Sequence, residues 1–199
     1  MNLPNKITLT RILMIPVFVL VFFLEDVLPY NYIIAAALFV IASCTDFIDG
    51  HIARSRNLVT NLGKFLDPIA DKVLVSTAML LLLTMQMPLF AKLGTAAEGI
   101  YIAVAVSTCI IMARELIISA FRQIAAARGF IMAAEKLGKY KTACQDVALC
   151  VLFFAADVNG MVGKIITCFG LALFAIATIL TIWSGISYVV KHKQVLKDN

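Results

Sequence analysis

The sequence contains no internal repeat, no low-complexity stretch and no long linker rich in Ser or Gly. It also has no small-x-small cleavage site after its first hydrophobic run, so we do not expect a removable signal peptide. Its five cysteines all lie in apolar runs, and none is paired at the short spacing of a metal site. We interpret them as free thiols that pack as small hydrophobic groups. These absences predict one domain, residues 1–199.

Charge is also scarce, because only 15% of the residues are charged whereas 62% are hydrophobic. A soluble domain is usually about 45–50% apolar, so the excess is expected to face lipid. A membrane-spanning helix needs about 20 mostly apolar residues. Six stretches come close to this length: 7–24, 31–50, 66–87, 99–121, 141–156 and 163–190. The expected fold is an all-α integral membrane protein with six transmembrane helices and a short N-terminal interfacial segment.

The basic residues indicate how such a protein would be oriented. The net charge is +5, but the lysines and arginines are spread between the predicted spans, which does not favour a nucleic-acid partner. The connections that would lie opposite the N-terminus hold only Lys92 and Lys164 among basic residues. Basic residues concentrate on the cytoplasmic side of membrane proteins and contact anionic lipids there. Both termini are therefore predicted to be cytoplasmic.

Four aspartates are expected at the cytoplasmic ends of the second and third spans. Asp46 and Asp49 are three residues apart, and Asp67 and Asp71 are four apart, so each pair lies on one helix face. The short connection favours antiparallel neighbours whose faces meet. Clustered carboxylates at membrane depth repel one another, and divalent cations relieve that repulsion best. Oxygen ligands without His or Cys favour magnesium, manganese or calcium over zinc.

The connection between these two spans has features of a phosphate site. Gly50 and Gly63 are expected to bracket a loop, and glycine lets a backbone approach a ligand closely. Ala53 is similarly small, and the planar fork of Arg54 suits a phosphate or pyrophosphate group. The alternative is that the four aspartates are ordinary solvated acids at two interfacial helix ends.

The segment from Asp46 to Asp71 reads DFIDGHIAR, then eight residues, then GKFLDPIAD. It resembles the signature of the CDP-alcohol phosphotransferase family at every signature residue and spacing. The resemblance implies transfer of a phospho-alcohol from a CDP-alcohol, with release of CMP. It also implies two bound Mg²⁺ or Mn²⁺ ions, with Asp46, Asp49 and Asp67 as ligands. Asp71 would be the general base and a further metal contact.

Residues 3–11, 113–122 and 137–143 are similar to a bacterial branch of this family. In that branch the donor is CDP-diacylglycerol and the acceptor is sn-glycerol 3-phosphate. The resemblance implies a two-metal, in-line transfer of a phosphatidyl group at the cytoplasmic face of the bacterial inner membrane, by a multi-pass protein that forms homodimers. The residues expected to bind the CDP-lipid are Asn5, Thr8, Asp49, Gly50, Ala53, Arg54 and Gly63. No Ser, Cys or His stands beside the aspartates as an evident covalent nucleophile.

An anionic acceptor requires a cationic pocket. Arg114 lies near the cytoplasmic end of the fourth span, where an unpaired charge is costly. Arg122 follows eight residues later, about 80° around a helix. The residues predicted to bind the acceptor phosphate are Arg11, Arg114, Arg122, Lys139 and Lys141. The alternative is that Arg114 pairs with Glu115 or an aspartate, while the lysines only contact anionic lipid.

Two other functions are compatible with parts of this pattern. A sibling transferase would use serine, inositol phosphate or phosphatidylglycerol as its acceptor. A divalent-cation transporter would also place acids within membrane spans, but it predicts a site at the bilayer midplane and broken helices. The aspartates instead cluster at one end of their spans, which favours the transferase.

Overall fold

The six apolar stretches form six α-helices in the part of the chain that the structure describes, which is the backbone of residues 3–55, 61–127 and 136–191. The structure is a computed structural model, and it describes the side chains of residues 8–45, 66, 68–125 and 137–191. The helices are α1 (Leu3–Phe22), α2 (Asn31–Ser55), α3 (Asn61–Thr84), α4 (Ala97–Ala127), α5 (Lys136–Asp157) and α6 (Gly160–Lys191). A 3₁₀ helix, Phe90–Ala96, precedes α4. The predicted all-α architecture is confirmed for these ranges.

The helices extend beyond the predicted apolar spans where α2 and α3 approach each other. Helix α2 continues to Ser55, and α3 already begins at Asn61. The prediction that Gly50 and Gly63 bracket a loop is therefore wrong, because both backbones are helical. Hydropathy marks the part of a helix that faces lipid, whereas backbone hydrogen bonding continues past that part.

Consecutive helices run in opposite directions. Helix α5 packs against α2 and α6, α1 packs against α2 and α3, and α4 packs against α6. Arg11 near the start of α1 contacts Thr45 of α2, and Lys141 near the start of α5 contacts Glu115 of α4. We call this end of the bundle, where α1, α3 and α5 begin and α2, α4 and α6 end, the site end.

The core brings the helices together through aromatic rings and small residues. Phe18 of α1 lies 6.1 Å from Phe39 of α2 and 5.9 Å from Phe153 of α5, measured between ring centroids. A Cβ added at Gly170 of α6 would lie 2.8 Å from the Leu152 side chain of α5. Small residues of this kind allow the close backbone approach that is typical of membrane helix packing.

At the opposite end of the bundle, side chains cap the helix ends through hydrogen bonds to backbone groups. Lys92 Nζ donates hydrogen bonds to three carbonyl oxygens at the end of α5, those of Ala155, Ala156 and Val158 at 2.6, 2.8 and 2.8 Å. Asp157 accepts a hydrogen bond from the Ile33 backbone N–H at 2.8 Å, and Asn31 donates to the Phe22 carbonyl at 2.6 Å. These contacts satisfy backbone groups that a helix end leaves without partners.

The described helices present an apolar surface. Two stretches within the described residues are long and apolar enough to cross a membrane, Phe90–Ala125 and Gly160–Lys191, and two shorter apolar helices cover Thr8–Phe22 and Asn31–Thr45. Leu13, Leu20, Ile179 and Trp183 are among the large hydrophobic side chains on the outside of the bundle. Extensive apolar surface of this kind marks contact with lipid or with another protein.

Candidate active site

The four predicted metal-binding aspartates lie on two helices that contact each other. Asp46 and Asp49 belong to α2, and Asp67 and Asp71 belong to α3. Because the backbone is helical across both pairs, the spacings of three and four place each pair on one helix face. The Asp71 side chain is half-buried, whereas those of Asp46, Asp49 and Asp67 lie outside the described residues.

The chemistry of this donor set fits a hard divalent cation. Four carboxylates on adjoining helices offer only oxygen ligands, which suit Mg²⁺ or Mn²⁺. Among the described side chains no group of three His, Cys, Asp or Glu could hold a metal ion, and the side chains of Asp46, Asp49 and Asp67 lie outside that described part. The predicted metal site therefore depends on the helical register of α2 and α3.

Thr8 is the predicted CDP-lipid residue whose side chain the structure describes. It is buried on α1, three residues before the buried Arg11. The remaining predicted CDP-lipid residues have side chains outside the described part: Asn5, Asp49, Gly50, Ala53, Arg54 and Gly63.

Arg11 lies against the helix that carries the first aspartate pair. Its side chain is only 1% exposed, and Nε donates to Thr45 Oγ1 at 3.4 Å. The Thr45 hydroxyl in turn donates to the Ala42 carbonyl at 2.6 Å. Thr45 immediately precedes Asp46, so this contact places Arg11 beside the aspartate turn of α2. The role of Arg11 in binding the acceptor phosphate stays a prediction.

Helix α4 turns two polar faces toward different neighbours. Arg114 and Arg122 contact Ser184 and Tyr188 of α6, respectively. Glu115 contacts Lys141 of α5, and Ser119, one turn further, contacts Lys72 of α3. A helix advances by about 100° per residue, so neighbouring positions such as 114 and 115 point toward different helices.

Glu115 joins cations from two helices. Its Oε1 accepts a hydrogen bond from Arg114 Nη1 at 3.1 Å and another from Lys141 Nζ. The Lys141 side chain is 4% exposed and the Glu115 side chain 31% exposed. Lys72 contributes a further attraction to the Glu115 carboxylate. The structure thus brings Arg114 and Lys141 together, and it also contains the Arg114–Glu115 pair that the sequence left as an alternative.

The rest of the Arg114 side chain is fixed by α6. Its Nη2 donates to Ser184 Oγ at 3.0 Å. Its Nε is buried and has no hydrogen-bond partner among the described residues. The three guanidinium nitrogens of Arg114 are therefore in different environments.

Arg122 and Lys139 lie elsewhere along α4 and α5, and Arg122 contacts α6. Arg122 Nε donates to the Tyr188 hydroxyl at 3.3 Å, and the guanidinium carbon lies 5.3 Å from the ring centroid of Tyr188. This distance is within the range of a cation–π interaction. Lys139 is exposed on the first turn of α5. Of the five predicted acceptor-phosphate residues, the described contacts unite Arg114 and Lys141.

The sequence analysis did not predict that Lys72 contacts α4, that Glu115 is shared by two cations, or that Ser184 and Tyr188 take part. Two signals were present. Lys72 follows Asp71 directly, so it had to lie near the aspartate helices. Ser184 and Tyr188 are polar and four residues apart near the end of the very apolar α6, which places both on one face.

Comparison with known proteins identifies the family of the chain. The sequence model of a family described as CDP-alcohol phosphatidyltransferase matches residues 1–183. The chain is 36% identical over 208 aligned residues to the CDP-diacylglycerol–glycerol-3-phosphate 3-phosphatidyltransferase of Bacillus subtilis, with 100% of this chain and 98% of that protein covered. It is 37% identical over 199 residues to the protein of the same name in Escherichia coli, with coverages of 99% and 98%. The Rickettsia typhi protein of that name is 38% identical over 187 residues, covering 94% of each chain.

Proposed function

Because this chain belongs to the CDP-alcohol phosphatidyltransferase family, we propose that it transfers a phosphatidyl group from CDP-diacylglycerol to sn-glycerol 3-phosphate. The products are phosphatidylglycerophosphate and CMP. The proposal is supported by the names of three relatives that cover nearly the whole chain. The structural observation that carries it is the convergence of Arg114 and Lys141 at the site end, beside the helix that bears Asp71.

An acceptor that carries a phosphate suits this convergence. Glycerol 3-phosphate brings a dianionic group toward a buried region, which is costly without cations. Arg114 offers a planar fork with several donors, and Lys141 adds a compact charge from another helix. Serine brings only a singly charged carboxylate, together with an ammonium group that both cations would repel. The structure therefore supports a phosphorylated acceptor more than an unphosphorylated one.

The contacts of Lys72 link this cationic region to the proposed general base. Lys72 contacts Ser119 of α4, and the Ser119 hydroxyl donates to the Glu115 carbonyl at 2.6 Å. Asp71 is the residue before Lys72 on α3. The turn that carries the base is thereby connected to the turn that carries Arg114 and Glu115. In this proposal one acceptor molecule places its phosphate on α4 and α5 while its hydroxyl approaches α3.

In the proposed reaction the acceptor hydroxyl oxygen forms a bond to the phosphorus that bears diacylglycerol. The bond from that phosphorus to the CMP oxygen breaks in the same in-line step, and Asp71 accepts the hydroxyl proton. Asp46, Asp49, Asp67 and Asp71 would hold two Mg²⁺ or Mn²⁺ ions, whose positive charge supplies Lewis acidity at the phosphate oxygens. The proposed contacts of the CDP-lipid remain Asn5, Thr8, Asp49, Gly50, Ala53, Arg54 and Gly63.

CMP release tests the proposed reaction directly. The purified chain, reconstituted with CDP-diacylglycerol and Mg²⁺, is given glycerol 3-phosphate, serine or inositol phosphate in separate assays. We expect CMP release with glycerol 3-phosphate, and loss of that activity in excess EDTA that added Mg²⁺ or Mn²⁺ restores. Faster release with another acceptor would make this a sibling transferase. Full activity in EDTA would contradict the two-metal site.

The membrane orientation is a second part of the proposal. The distribution of basic residues and the apolar outer surface support a multi-pass protein of the bacterial inner membrane, with both termini and the site end in the cytoplasm. A single cysteine placed at Asn57, which lies outside the described residues, should resist an impermeant reagent in intact cells and react after permeabilisation. Labelling in intact cells would show that the site end faces the opposite side of the membrane from the one proposed. The homodimer stays a prediction.

A further inference from the structure

Glu115 differs from the other acids at the site end because it bridges cations rather than belonging to the aspartate set. Both hydrogen bonds, from Arg114 of α4 and Lys141 of α5, end on the same oxygen, Oε1. Lys141 is almost fully buried, and its ammonium group has left water for this contact. Glu115 is therefore the point at which charges from two separate helices meet.

Two cations that share one oxygen lie close enough to repel each other strongly. Repulsion between like charges grows in a buried, partly apolar environment, and removing the anion between them leaves uncompensated buried charge. An anion that contacts both cations before the phosphate arrives offsets this repulsion. Among the described residues, Glu115 makes hydrogen bonds to both, and Ser184 fixes only the far side of Arg114.

We infer that Glu115 is a positioning residue, whose carboxylate holds Arg114 and Lys141 together in the empty enzyme and so preorganises them for the acceptor phosphate. This inference rests on the proposed function. Groups that are already held in a binding geometry lose less freedom when the ligand arrives. Once bound, the phosphate itself attracts both cations, so Glu115 acts mainly on acceptor binding and much less on the chemical step.

A steady-state comparison of Glu115→Gln with the wild type tests this inference. Glutamine has nearly the same shape but no charge. We expect the KM for glycerol 3-phosphate to rise about tenfold or more. The KM for CDP-diacylglycerol and kcat at saturating glycerol 3-phosphate should each change by less than about threefold, since other residues handle the donor and the reacting atoms.

A matched control and a second variant make the result specific. Glu98→Gln removes an exposed carboxylate from the first turn of the same helix. It should leave both KM values and kcat unchanged. Glu115→Asp keeps the charge but is one methylene shorter, so it should raise the same KM by less than Glu115→Gln does. If Glu115→Gln does not yield folded protein, Glu115→Asp is measured in its place, and an unchanged KM in that variant overturns the inference.

A double variant tests whether Glu115 acts through Lys141. Lys141→Met alone should raise the KM for glycerol 3-phosphate. Adding Glu115→Gln to Lys141→Met should then raise it by far less than Glu115→Gln raises it in the wild type, because residues in one network are not additive. Independent, multiplicative effects would show that Glu115 does not position Lys141.

The outcomes separate this inference from the proposed function. If the wild type is active and Glu115→Gln leaves the KM for glycerol 3-phosphate unchanged or lowers it, the carboxylate either has no effect on acceptor binding or competes with the phosphate. That result overturns the positioning role alone. A wild type that prefers another acceptor overturns the proposed acceptor. The same variant is then assayed with that acceptor. If the acceptor lacks a phosphate, or if its KM does not rise, the positioning role fails as well.

Discussion

The side chain of Arg114 packs directly against the backbone of Gly185. A Cβ added at Gly185 would lie 3.0 Å from Arg114 Cγ and 3.4 Å from Arg114 Nε. The contact to Cγ is tighter than usual, so a larger residue must shift the arginine by a few tenths of an ångström. Helix α6 therefore limits the position of Arg114 from one side, while Ser184 and Glu115 hold its guanidinium group at the other.

Gly185→Ala should displace Arg114 without removing any charge. We expect the KM for glycerol 3-phosphate to rise roughly fivefold, about 1 kcal/mol, with the KM for CDP-diacylglycerol unchanged. Gly99→Ala is the control, because an added Cβ there meets no atom within 4 Å. Equal effects of both substitutions would indicate a general loss of helix packing rather than a shift of Arg114.

Arg114→Lys should keep the positive charge but lose the planar fork that reaches Glu115 and Ser184 together. We expect the KM for glycerol 3-phosphate to rise about tenfold, or about 1.4 kcal/mol, with little change in the KM for CDP-diacylglycerol. Arg122→Lys should have a smaller effect, because Arg122 stacks on Tyr188. If either variant raised the KM for both substrates to the same extent, the arginine would have a structural role.

Asp71→Asn should abolish most turnover, because an amide cannot accept the hydroxyl proton. General-base catalysis contributes roughly 10²- to 10⁴-fold, and a loss of kcat in that range is expected. Binding of CDP-diacylglycerol, measured separately, should persist in part, since one oxygen ligand remains. Asp26→Asn, which changes an exposed acid between α1 and α2, is the control. Near-normal kcat in Asp71→Asn would mean that another group accepts the proton.

Lys92→Met should lower stability without affecting the site end. The substitution removes the donor to three carbonyl oxygens at the end of α5, and unsatisfied groups of this kind cost about 1–3 kcal/mol. We therefore expect a lower Tm of the detergent-solubilised protein and unchanged KM values. Lys164→Met alters an exposed lysine near the start of α6 and should leave Tm as it is. An unchanged Tm for Lys92→Met would show that water replaces the ammonium group.

The six described α-helices and the family could both be predicted from the sequence, because each depends on local patterns. Long apolar runs identify the helices, and the fixed spacings from Asp46 to Asp71 identify the signature. Helix ends were predicted less well, as Gly50 and Gly63 show. Both lie inside helices, because the backbone continues its hydrogen bonding after the apolar run has ended.

The cationic region shows what sequence patterns leave undecided. Arg114 and Lys141 were both candidates, together with Arg11, Arg122 and Lys139, because each is a basic residue near a predicted cytoplasmic helix end. Nothing in the order of residues says which helix faces each side chain. A rotation of about 100° separates Arg114, which contacts α6, from Glu115, which contacts α5.

The sequence by itself determined that the chain forms apolar helices, that four aspartates lie on two of them at helical spacing, and that cations accompany them at one end. These properties follow from composition and periodicity along a single helix. Only the tertiary structure decided that Glu115 unites Arg114 with Lys141, that Arg11 packs beside Thr45, and that Arg122 stacks on Tyr188. The physical reason is that a charged side chain at a helix end can reach several neighbours, and the packing of the helices selects one of them.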